Sequence, residues 1–200
     1  MKKLIVCLFT LCLLTVVPAS AGVLYNNGPL SGTIAAYNIV AYEVTDSFVI
    51  SSPATMTSFD FGSWNVRGDV ISAVFWAVGT TPFATDVASG TSPVSSVYEG
   101  VESVYGVFPL YTNTVSGLSV PLIAGTYWLS LTSASVPNQH PAYWDENDGA
   151  STAYFTGTGS LIGSEAFDIN GGSSVPEPGS MGLLGGGILL MLGALRRKIA

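Results

Sequence analysis

Between residues 22 and 169 the sequence has no cysteine, a single histidine (His140) and a single basic side chain (Arg67). Each shortage excludes something. Without cysteine there is no disulfide framework and no thiolate metal site, so this stretch is held by its core alone. Cys7 and Cys12 both fall in an N-terminal apolar run. One histidine cannot supply the several His or Cys ligands of a usual zinc site. Arg67 stands against Glu43, Asp46, Asp60, Asp69, Asp86, Glu99, Glu102, Asp145, Glu146, Asp148, Glu165 and Asp168. So acidic a surface repels phosphate backbones and anionic membranes, which excludes nucleic acid as a partner. Cations, neutral sugars and apolar partners stay open.

Catalytic motifs are equally scarce. No serine stands in a Gly-x-Ser-x-Gly elbow, and no glycine loop leads into a phosphate-binding lysine. Carboxylate pairs such as Asp60 with Asp69, or Asp145 with Asp148, suit glycoside hydrolysis, but nothing in their spacing selects one. The expectation is a chain that is not an enzyme and needs no cofactor.

No window shows a 3.6-residue apolar stripe. What is present is short apolar alternation rich in Val, Thr and Tyr, broken by Gly, Pro and Ser. Candidate strands run near Ala36–Glu43, Ser47–Ser52, Thr55–Phe61, Asp69–Val78, Val94–Val101, Thr114–Leu122, Thr126–Ser133, Ala153–Thr158 and Glu165–Ile169. Both faces of Val70–Val78 are apolar, as in a central strand. Along Gly125–Leu131, Tyr127, Leu129 and Leu131 share one face, Trp128 and Ser130 the other. The pattern predicts an all-β fold, an antiparallel β-sandwich of jelly-roll type, over residues 22–169.

The two ends differ from the middle. Residues 1–21 have the form of a signal peptide: Lys2 and Lys3, the apolar run Leu4 to Val17, a helix-breaking Pro18, then Ala19-Ser20-Ala21. Signal peptidase cleavage after Ala21 would leave Gly22 first. At the other end, residues 170–178 look like a flexible linker closing in Val175-Pro176-Glu177-Pro178. An apolar segment of 17 residues, 179–195, follows. That is near the lower limit for a single transmembrane helix. Arg196, Arg197 and Lys198 then fix a cytoplasmic end, with the main domain outside. Gly182, Gly185, Gly186, Gly187 and Gly193 weaken this helix, which suits a temporary hold on the inner membrane.

The order of proline motif, apolar helix and terminal basic cluster resembles the PEP-CTERM sorting signal of Gram-negative bacteria. The residues that carry the resemblance are Val175, Pro176, Glu177, Pro178, the segment from about Met181 to Leu195, and Arg196, Arg197, Lys198. The resemblance implies recognition by an exosortase, release from the inner membrane, and a host that makes exopolysaccharide or biofilm matrix. The string Gly125–Leu131 and the strand at Ala166–Ile169 are also similar to strands of secreted bacterial β-sandwiches, including PEP-CTERM ectodomains.

Two candidate ligand sites can be weighed. Exposed aromatics can stack on sugar rings, and Trp128, Tyr143 and Trp144 are the candidate glycan contacts; Trp76 belongs to the core. The run Asp145-Glu146-Asn147-Asp148-Gly149 groups oxygen ligands, with Asp145, Asn147 and Asp148 as calcium candidates. It is one position short of a calcium loop and has Phe155 where the closing glutamate belongs, so a solvated acidic turn is expected. The functional expectation is a non-enzymatic cell-surface or matrix protein. The alternative is a carbohydrate-binding module of the exopolysaccharide matrix, and a secreted hydrolase comes third.

Overall fold

The computed structural model describes residues 22–173. The predicted signal peptide with Ala19 and Ala21, and the tail from Val175 to Lys198, lie outside the described residues. Among the described residues no helix is long and apolar enough to cross a membrane.

Two antiparallel sheets share one core. The larger has eight strands: β1 (Gly22–Asn26), β2 (Ala36–Asn38), β4 (Ala54–Asn65), β7 (Ser95–Val101), β8 (Pro109–Leu122), β10 (Ala142–Asn147), β13 (Ser164–Glu165) and β14 (Phe167–Ser173). The smaller has six: β3 (Val44–Ile50), β5 (Ala73–Gly79), β6 (Ala88–Pro93), β9 (Gly125–Ser135), β11 (Ala153–Phe155) and β12 (Ser160–Ile162). The long strand β4 organises the larger sheet. One of its edges pairs with β8; the other pairs with β14 over Ala54–Phe61 and then with β10 over Ser63–Asn65.

Period-2 alternation explains the core. Val44, Phe48 and Ile50 of β3 and Tyr127, Leu129 and Leu131 of β9 turn inward, where they meet Phe59, Phe61, Trp144, Phe167 and Ile169 of the other sheet. Aromatic rings tie the layers: Phe48 contacts Phe167 at 6.3 Å, and Phe59 contacts Trp76 at 6.3 Å. Trp76 is core, as expected.

Four expectations need correction. The strand expected over Asp69–Val78 starts only at Ala73, and Val70 is exposed ahead of it. The strand expected over Ala36–Glu43 stops at Asn38, because the Asn38 side-chain oxygen accepts the N–H groups of Val40 and Ala41 and folds the chain into a turn. Of the stretch expected to be a solvated acidic turn, Asp145–Asn147 form the end of strand β10 with Asp145 fully buried, and only Asp148 is exposed beyond it. Residues 170–173 are not linker but the end of β14. Asn-Gly-Gly-Ser looks flexible, yet Gly171 is there because the backbones close up: a Cβ on it would collide with the Thr55 carbonyl.

Candidate ligand groove

Trp64 and Tyr143 are register partners on β4 and β10, on the outer face of the larger sheet. The loop between β7 and β8 folds over them. Glu102 shapes that loop: its buried carboxylate accepts the backbone N–H groups of Tyr105 (2.6 Å), Val107 (2.8 Å) and Phe108 (3.0 Å). Burial opposes its charge, but these N–H groups outweigh burial and hold the Glu102 carboxyl below its usual range. A loop pinned at three amides holds Tyr105 outward, 69% exposed.

The result is a groove of about 450 Å³ lined by Ala35, Ala36, Trp64, Tyr105, Val107, Phe108 and Tyr143. Its rings brace one another. Phe108 stacks on Trp64 at 6.3 Å and meets Tyr105 and Tyr143 edge-on at 5.9 and 6.0 Å. Burial pushes the Tyr143 hydroxyl up from its ordinary pKa, so it stays a neutral donor.

Asp145 supports the groove from behind. Its carboxylate accepts the N–H groups of Ser31 (2.6 Å) and Gly32 (2.9 Å) and the indole N–H of Trp64. It thereby fastens the segment after β1 across the sheet. Burial still pushes the Asp145 carboxyl above its ordinary pKa, against these three hydrogen bonds.

The expected sites separate in space. Trp144 is fully buried, with its indole N–H on the Ala166 carbonyl at 2.9 Å, so it presents no face to a sugar. Trp128 is half-buried on the smaller sheet, against Tyr154 at 5.7 Å. It therefore lies on the opposite side of the sandwich from Tyr143. Of the three candidates Tyr143 alone reaches the groove. Tyr105 and Phe108 were not foreseen: they sit between two strand patterns, and Glu102 three residues before Tyr105 was the available sign of a pinned loop.

The calcium candidates do not converge either. Asp145 points its oxygens at N–H donors. Asn147 donates its amide to the Asn27 carbonyl (2.8 Å) and accepts the Gly149 N–H (2.9 Å), and Asp148 is exposed. Among the described residues no three His, Cys, Asp or Glu side chains are grouped to hold a metal. His140 shares a 2.6 Å contact with Asp69, which joins the loop after β9 to the loop after β4.

A second hollow, of about 420 Å³, opens beside the groove and is lined by Asp60, Glu99 and Asp168 among others. Asp60 is held by the hydroxyl of Thr114 and, at 2.7 Å, by the amide of Asn170.

Outside the sandwich, residues 174–198 match the family model of the PEP-CTERM protein-sorting motif. The match supports an exported protein whose sorting runs through an exosortase. No curated protein and no solved structure matches the chain.

Proposed function

We propose that the chain is a non-enzymatic protein of the bacterial cell surface or extracellular matrix, exported through its signal peptide, held briefly in the inner membrane by its tail, and released by an exosortase. The observation that carries this reading is the sorting motif at residues 174–198. A cysteine-free sandwich with one basic side chain fits a passive role outside the inner membrane.

Carbohydrate binding in the matrix is the second reading, and the aromatic groove favours it. Hydrolysis is third. A carboxylate-lined hollow exists, but both Asp60 oxygens already accept hydrogen bonds, which supports a positioned acceptor over a nucleophile.

The test is the intact mass of an ectodomain-tagged copy from each cell fraction of a host with an exosortase. Support is a species that begins at Gly22, ends near Pro176–Pro178 and lies outside the inner membrane. A species that keeps Arg196–Lys198 and stays wholly in the inner membrane would make the tail a plain anchor.

A further inference from the structure

The groove and the carboxylate-lined hollow are neighbours on one face. Gly62 of β4 lines the hollow, and Trp64, two residues further along the same strand face, lines the groove. That spacing is about 7 Å. Leu30 borders the hollow and Ala35 the groove, so the segment fastened by Asp145 runs from one to the other.

We infer that this face binds a neutral polysaccharide, with one sugar residue seated between the aromatic walls of Tyr105, Phe108 and Tyr143 and Asp60, Glu99 and Asp168 accepting hydroxyl hydrogen bonds from the next. The inference rests on the carbohydrate-binding reading and gives it a place and a ligand class.

Three observations choose this occupant. The first is complementarity of shape and polarity. A sugar ring has an apolar C–H face and a rim of hydroxyl donors, and this surface offers aromatic walls beside carboxylate acceptors. One Asp168 oxygen, Oδ1, is buried and lacks a hydrogen-bond partner. The second is charge. The hollow is lined by three carboxylates and by no basic side chain, and Arg67 is the one Lys or Arg from residue 22 to 173. A polyuronate or sulfated glycan would be repelled, whereas uncharged hydroxyls would not. The third is preorganisation. Glu102 fixes the Tyr105 loop, and Thr114 and Asn170 fix Asp60, before any ligand arrives. Little conformational entropy is then left to lose on binding.

The experiment uses the full chain, in a detergent without a sugar head group. It is applied to an array of neutral glycans (β-glucans, mannans, xylans, galactans) and polyuronates, and a neutral hit is then titrated as a soluble oligosaccharide. The expected result is saturable binding to at least one neutral glycan and none to polyuronates. Tyr105→Ala and Asp168→Asn should each weaken binding about tenfold, while Trp128→Ala on the opposite sheet leaves it unchanged. Tyr105 is exposed, so its truncation leaves the fold intact, which the unfolding midpoint checks. Retention of no neutral glycan, equal binding to polyuronates, or full affinity in both Tyr105→Ala and Asp168→Asn would each overturn the inference. An unprocessed tail in cells would count against exosortase release instead and leave this result standing.

Discussion

Glu165 donates its backbone N–H to the Asp46 carboxylate at 2.7 Å, while its own side chain is fully buried with neither oxygen hydrogen-bonded. Asp46 alternates with Val44, Phe48 and Ile50, so it faces between the sheets. It is satisfied by Asn27, Ser47, Ser151 and the Glu165 N–H. Asp145 and Glu146 of β10 also act on Glu165, and Tyr37 of β2 sits close enough to Glu146 to be pushed up to about 12, burial being the larger cause. No lysine or arginine stands among these groups.

The first prediction concerns pH. Burial raises the Asp46 carboxyl to about 6, and burial with Asp46, Glu146 and Asp145 nearby raises Glu165 well above its ordinary value. Both groups hold protons more tightly folded than unfolded. Stability is therefore greatest below the unfolded carboxyl range and falls as pH rises through the folded values. For Asp46 the fall runs from about pH 4 to about pH 6 and amounts to about 3 kcal/mol. Thermal unfolding across pH 4–9 should show a midpoint that declines, and Glu165→Gln should raise the midpoint at pH 8 and flatten the decline. A midpoint that rises from pH 5 to pH 8 in the unsubstituted protein would contradict this.

The Glu102 loop gives a second prediction. Glu102→Ala removes the acceptor of three amides and should free the loop without unfolding the sheets. Hydrogen exchange at Tyr105, Val107 and Phe108 should speed up by roughly tenfold or more, since a charge-assisted hydrogen bond is worth about 1.5–3 kcal/mol. Unchanged protection would mean that the apolar contacts of Phe108 fix the loop without the carboxylate.

Gly171→Ala should cost about 1–3 kcal/mol through forced separation of β14 and β4. Gly125→Ala is the control, because its added methyl would meet the Tyr127 ring at an ordinary 3.7 Å. Chemical denaturation of both variants makes the comparison.

The two tryptophans named as candidate glycan contacts, Trp144 and Trp128, should separate energetically. Trp144→Ala empties a site packed by Phe61 and Phe167 and should cost about 3–5 kcal/mol. Trp128→Ala removes a half-buried ring and should cost well under half of that. Equal losses in urea unfolding would argue against the burial difference.

Much of the architecture was legible because alternation is local. Tyr127, Leu129 and Leu131 declared one core face, whereas the strand expected over Val70–Val78 begins only at Ala73 and leaves Val70 exposed. Asp145 was misread because its partners are far away in sequence: Ser31, Gly32 and Trp64 meet it only once the sheet forms. Gly171 was misread because a glycine chosen for close backbone approach has the same letter as one chosen for freedom. The groove was half legible. Tyr143 could be named, but Tyr105 and Phe108 belong to a loop whose shape comes from hydrogen bonds to Glu102, and no periodicity marks it.

Strand β14 lies between β1 and β4 and is described as far as Ser173, which pairs with Ala54. Only the five residues 174–178 then separate the sheet from the apolar segment. Even at full stretch they reach about 18 Å. On the proposed reading, a membrane enzyme that cuts within them must work right beside the folded sandwich. On that same reading the sandwich stands close to the bilayer, so the tether sets its stance as well as its address.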